Sequence, residues 1–369
     1  MIATPITSLL IFLASILTTN HAQPENEIIP NNKATLNFHI HTLHFIKNNE
    51  YFTPIVEGHT LGGYHLHPFL AYQTSENVTT KLGFFIRRYW AEKKLFSTII
   101  PTLTLRYQKQ AARFLIGNLK GGSAHQLIRP LYDRERILQV IPETGLQMRY
   151  INKHTFLDIW LDWLTLLDKP NNVPEELIAG LSFEQLLAQI SSIKITIPVQ
   201  ILLYHLGGQG ISIKDFSLWI GTLGGRITFP VSDQGFLKNI CLDNYYVANH
   251  YVKKIARPFK TGHAFLGQLT FHTSWFRLQG SYWNSYGFSS ENLGHPLYQS
   301  ISISNKQVSC QEKHRHLLLL HIDYQYFLTT QLKLVLQIDP YYDINHDLVE
   351  HEAGFYVSYR PSFSLPPYR

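Results

Sequence analysis

The sequence predicts an all-β protein: a closed, antiparallel transmembrane β-barrel of about sixteen strands, within a range of roughly fourteen to eighteen. Three observations predict it. Apolar and polar residues alternate at period two along many segments, as they must where successive side chains point to opposite faces. These segments run to about ten residues, the length a tilted strand needs to cross a bilayer, whereas strands of soluble sheets are mostly nearer five or six. Charged residues make up only 16% and aromatic residues 13%. Soluble domains carry about a quarter charged residues, and a lipid-facing band flanked by aromatic girdles accounts for both departures.

The amino terminus is a separate element. Ser8 to Leu17 is an apolar run, too short for a spanning helix, which needs about 20 residues. Small and polar residues follow, ending in Asn20-His21-Ala22 before Gln23. Residues 1–22 therefore read as a signal peptide, 23–33 as an N-terminal extension and 34–369 as the barrel domain. Cys241 and Cys310 allow at most one disulfide and lack metal-type spacing. The net charge of +6 is scattered along the chain, without the basic stripe or module that nucleic-acid binding requires.

Alternation then sets the strands. In 78–90, Val78, Leu82, Phe84, Ile86 and Trp90 share one face, and Thr79, Lys81, Gly83, Arg87 and Tyr89 the other. Leu318, Leu320, Ile322, Tyr324 and Tyr326 likewise oppose His321, Asp323 and Gln325. The expected strands are 36–46, 59–73, 77–90, 97–108, 111–118, 144–152, 155–164, 175–183, 193–206, 212–222, 243–252, 260–272, 274–286, 315–327, 329–339 and 352–360. Bacterial barrels alternate short periplasmic turns with longer outer loops. The even connections at Ser75-Glu76, Lys109-Gln110, Lys153-His154, Thr273-Ser274 and Leu328-Thr329 are short. The odd ones at 47–58, 91–96, 119–143, 165–174, 287–314 and 340–351 are longer. The rule fails in the middle, where the odd ninth connection (207–211) is brief and the even tenth (223–242) is long.

The connection 119–143 concentrates both charge signs in Arg129, Asp133, Arg134, Glu135 and Arg136. Loops of this length usually have a functional reason. Folded inward, it would constrict the pore and set a transverse field that tunes ion selectivity; an outward surface loop is the alternative. The runs GNLKGGSAHQLIRPLYDRERIL (117–138), NNEYFTPIVEGHTLGGYHLHPFLAYQ (48–73) and GFYVSYRPSF (354–363) resemble uncharacterised porin-like outer-membrane β-barrel proteins of the Bacteroidota. The resemblance implies a porin-like barrel without a known substrate, and it supplies no catalytic residues.

Two chemistries are weighed beside the pore. His39 and His41 share a strand face, as do His65 and His67, and pairing of their strands would let four imidazoles converge on Zn or Cu; histidines of the lumen or interface are the plainer account. For a hydrolase, Ser123, His125 and Asp133 lie close in sequence, but the local signatures GxSxG and HExxH are absent. The expectation is therefore no enzyme, no cofactor and no metal. Lys81, Arg87, Arg106, Arg149, Lys194, Arg277 and Lys333 are expected on the lumen face, outnumbering Asp158, Asp162, Asp323 and Asp339 there. This gives a weak anion preference to passive diffusion of small polar solutes, by electrostatic enrichment in a low-dielectric-walled pore. The alternatives are a non-conducting barrel serving adhesion or assembly, and an outer-membrane hydrolase. The expected location is the bacterial outer membrane, with outer-membrane lipid and small polar solutes as partners, and self-association into a homo-oligomer left open.

Overall fold

The computed structural model describes residues 35–210, 215–232, 234–252, 257–302 and 310–365. The signal-peptide reading of 1–22, the extension of 23–33 and the final tail fall outside these residues. Sixteen consecutive antiparallel strands form one sheet, in sequence order throughout. They are β1 (Leu36–Glu50), β2 (His59–Gln73), β3 (Val78–Tyr89), β4 (Thr98–Lys109), β5 (Ala112–Asn118), β6 (Thr144–Ile151), β7 (Thr155–Thr165) and β8 (Glu175–Ile190). The second half comprises β9 (Ile193–Gly207), β10 (Phe216–Pro230), β11 (Leu237–Tyr251), β12 (Thr261–Thr273), β13 (Phe276–Tyr286), β14 (His314–Phe327), β15 (Leu332–Asp343) and β16 (Leu348–Tyr359).

The sheet closes where β1 pairs with β16, from Thr42 opposite Tyr359 to Glu50 opposite His351. Pro361, which has no N–H to donate, interrupts the last strand. β17 (Ser362–Leu365) then resumes pairing along the start of β1. Closure leaves no sheet edge, so the strands satisfy one another's backbone groups, as hydrocarbon demands.

The connection lengths now obey the parity rule through the middle of the chain. The expected tenth connection, 223–242, is instead mostly strand: β10 continues to Pro230 and β11 begins at Leu237. Gly224 and Gly225 carry no side chains to mark the alternation, yet they pair with Tyr245 and Asn244 in register. The even connection shrinks to 231–236. Even connections thus gather at one end of the barrel, with the start of β1, and the odd ones at the other, where most are longer; the expected long connection 340–351 is the exception, since β15 runs on to Asp343 and β16 begins at Leu348, which leaves a turn of 344–347.

The outer wall is apolar. Leu82 is 58% exposed and Phe84 54%, while inward-facing Thr79 and Phe85 are each 7% exposed. The inner wall changes character along its length. Toward the short turns it is polar, with Thr196 and Gln200 on β9, Arg226 and Thr228 on β10, and Asp323 and Gln325 on β14. Toward the long loops the same inward positions become Leu202 and Tyr204, Leu218 and Ile220, and Leu317 and Leu319. Onto these apolar positions fold Tyr51, Ile55 and Val56 of the first loop, Leu127, Ile128, Leu131 and Tyr132 of loop 119–143, and Phe288, Leu293, Leu297 and Tyr298 of loop 287–313. The result is a hydrophobic core inside the barrel. Of the two alternatives for loop 119–143, the structure takes the inward one: its apolar residues join this core as a plug, and its charged Arg129, Asp133, Arg134 and Glu135 line a cavity against the inner wall.

Candidate active site

The plug is held by buried ion pairs. His125 sits in a single 3-10 turn (Gly122–His125), 0% exposed, with Nε2 2.7 Å from Glu143 and Nδ1 3.1 Å from Asp158 on β7. It stacks on Trp160 at 3.7 Å between centroids. Burial alone would lower the imidazole pKa, but the bonds to Asp158 and Glu143 outweigh it and hold the group at about 9. Both ring nitrogens are therefore taken by carboxylates, and the sequence-adjacent set Ser123, His125 and Asp133 makes no catalytic triad.

A second node is Glu352 on β16, which accepts from Tyr51 and Tyr341 at 2.7 Å each, from Arg129 at 3.1 Å, and from Lys47 and His295. Five donors on one carboxylate offset the cost of burying it. The two plug loops also bind each other through Asp133 N to Leu293 O at 2.7 Å and His295 N to Arg129 O at 3.0 Å. Gly294 permits this approach, since a Cβ there would lie 1.9 Å from Pro130 O.

The other loop candidates are scattered around the plug. Glu135 accepts from Asn49 at 2.9 Å and meets His59 at 3.0 Å, and Arg136 donates to Asn292 O at 2.7 Å. Arg134 makes no side-chain hydrogen bond or ion pair among the described residues. The wall candidates all project inward but share no single site. Arg149 lies 3.2 Å from Asp158, Arg277 3.2 Å from Asp323, and Arg106 donates to Thr79 at 3.0 Å. Asp162 accepts from Thr144 N at 2.8 Å, Arg87 donates to Gln139 O and Thr98, and Lys81 and Lys333 lie over the Phe69 and Phe327 rings.

The first two strands do pair, and His41 stands opposite His67. The space between the imidazoles is filled by Phe69, whose centroid is 4.8 Å from that of His39 and 5.0 Å from those of His41 and His67. At the long-loop end Glu312, Asp343 and His346 bring potential metal-ligating atoms together. Arg315 donates to both carboxylates there, at 2.6 and 2.7 Å, so an ion pair already occupies them. Cys241 and Cys310 are both free.

A nucleophile and a base meet elsewhere, on the outer wall. β9 and β10 pair with His205 directly opposite Ser217, and His205 Nδ1 lies 2.9 Å from Ser217 Oγ. Both residues fall on the lipid-facing parity, because their neighbours Tyr204 and Leu218 point into the core. They sit at the long-loop end, beside a cleft of about 400 Å³ lined by Leu167, Lys169, Glu175, His205, Gly208, Gln209 and Asp215. A Cβ on Gly207 would meet Asp215 Cβ at 2.4 Å and His205 Cε1 at 3.3 Å; the missing side chain brings acid and imidazole onto one patch. A hydroxyl, an imidazole and two carboxylates thus share a surface, the arrangement that nucleophilic acyl transfer needs. Sequence reading missed this group because its members join only through register. The available signal was His205 and Ser217 interrupting outward positions otherwise held by residues such as Leu203 and Trp219.

The closed, loop-plugged sheet with a polar cluster on its wall defines a barrel of the outer-membrane type. A family model described as lipid A 3'-O-deacylase-type matches residues 28–366, and the chain belongs to that family. This overturns the expectation of a protein that is not an enzyme; the outer-membrane barrel that the resemblance implied stands, within an enzyme family. Among solved structures, OmpT of Vibrio cholerae superposes with a TM-score of 0.51 at 9% identity, covering 91% of this chain and 100% of that one. OprD of Pseudomonas aeruginosa gives 0.50 at 9% identity, covering 90% and 97%. OpdL of the same organism gives 0.50 at 10% identity, covering 89% and 99%. At these identities the likeness is one of fold. No curated protein matches the chain.

Proposed function

We propose that the chain is an outer-membrane ester hydrolase that removes an acyl chain from lipid A, with Ser217 as nucleophile and His205 as general base. The observation that carries the reading is the 2.9 Å contact between Ser217 Oγ and His205 Nδ1 on the lipid-facing wall at the long-loop end, where an outer-leaflet lipid would present its ester. Family membership supplies the substrate class.

In this reading Ser217 Oγ attacks the ester carbonyl carbon and its proton passes to His205. The tetrahedral intermediate collapses, and the departing alkoxide takes that proton. Water, deprotonated by His205, then releases the fatty acid and restores the serine. Glu175 and Asp215 stabilise the imidazolium, as a carboxylate does in serine hydrolases. Lys169, which lines the cleft, would offset negative charge that develops there. Passive diffusion fits less well, because the apolar core crosses the lumen.

The test is acyl release from lipid A in mixed micelles by the refolded protein, followed by mass spectrometry. Wild type should release one fatty acid per turnover. Ser217→Ala and His205→Gln should each lower kcat by on the order of 10⁴-fold or more. Full activity in Ser217→Ala would refute the assignment of the nucleophile.

A further inference from the structure

We infer that the cavity beneath the plug, next to Arg134, is a binding site for a small oxyanion, a carboxylate or phosphate group held by that guanidinium. The cavity measures about 170 Å³ and is lined by Lys47, Ser123, Arg129, Arg134, Gln337 and Tyr356 together with acidic groups. A water's share of liquid volume is about 30 Å³, so the space takes an oxyanion with some of its hydration.

Two of the three acidic groups at the cavity are held by several side chains, and the third by a single backbone amide. Glu352 is held by Lys47, Arg129 and His295, Glu135 by Asn49 and His59, and Asp133 Oδ1 accepts from Glu135 N at 3.1 Å. Arg134 is different. Its guanidinium has no hydrogen bond or ion pair among the described residues, whereas Arg129, Arg136, Arg149, Arg226, Arg277 and Arg315 each hold at least one. Burial, and then the nearby Arg277 and Arg129, pull its pKa down to about 10 against the smaller opposing effect of Asp339 and Asp323, neither of which forms an ion pair with it. An arginine fork left open beside other cations is complementary to the paired oxygens of a carboxylate or phosphate. The Ser123 and Tyr356 hydroxyls offer further donors along the same wall. The site lies inside the barrel and the Ser217 cleft outside it, so the two assignments stand or fall separately.

Calorimetric titration of the refolded wild-type protein with inorganic phosphate and with acetate tests the inference, and the tighter ligand shows which oxyanion the site prefers. Arg134→Gln should weaken that ligand at least tenfold. Arg134→Lys, which keeps the charge without the fork, should fall between. A second measurement needs no variant: phenylglyoxal labelling of Arg134, read by peptide mass spectrometry, should be suppressed by the bound anion. Failure of both anions to bind at tens of millimolar would overturn the inference. So would equal binding by Arg134→Gln, or labelling of Arg134 that neither anion slows.

Discussion

Replacing His125 with glutamine separates the charge of the plug's central node from its hydrogen bonding. In the native fold the imidazole lies between Glu143 and Asp158, which are themselves almost fully buried. Its pKa is held at about 9 against an ordinary value of 6.5, which is worth on the order of 3 kcal/mol. Because the folded value is the higher one, this stabilisation is complete below pH 6.5 and is lost as pH rises through about 9. Removing one partner of a buried pair costs about 3–5 kcal/mol. Here the low end applies, since Asp158 keeps Arg149 and Gln147, and Glu143 keeps Tyr132 and the Gly122 amide. His125→Gln should therefore open loop 119–143 on the order of a hundredfold more often at pH 6. Hydrogen exchange of the loop amides in the reconstituted protein, corrected for intrinsic rates, reads this directly. Wild type at pH 10 should approach the variant. Unchanged protection in the variant at pH 6, or no loss in wild type between pH 6 and 10, would refute the charged-imidazole account.

Other consequences follow from the same geometry. Gly294→Ala forces a Cβ to within 1.9 Å of Pro130 O; it should part the two plug loops and cost about 1–3 kcal/mol, seen as faster proteolysis of 119–143 and 287–313 with the barrel intact. Deleting 119–143 removes much of the luminal core, and single-channel recordings should change from closed to conducting; a silent deletion variant would show that other segments suffice to seal the lumen. Lys169→Met should raise KM or lower kcat for acyl release by about 10–100-fold through loss of the one lysine that lines the cleft among the described residues, whereas unchanged kinetics would remove it from substrate contact.

The wall of this protein was legible in its sequence. Each of the sixteen expected strands overlaps an observed one, because a lipid-facing strand must alternate at period two and the alternation survives without knowledge of any partner. The main error, at 223–242, arose where Gly224 and Gly225 leave the pattern blank. The plug was legible only in part. Loop 119–143 stood out by its length and charge, but the turn from Gln200 to Leu202 and Tyr204 along one inward face, which signals a core inside the barrel, reads as ordinary alternation until strands are aligned.

The candidate site was the least legible. His205 and Ser217 lie on different strands, and only the hairpin register sets them face to face; a one-residue slip would send one of them into the core. Composition and periodicity by themselves determined that the chain is a membrane-spanning barrel, because the bilayer imposes strand length and an apolar outer face locally, residue by residue. The tertiary structure alone decided what fills the lumen and which hydroxyl meets which imidazole, because both depend on contacts between segments far apart in sequence.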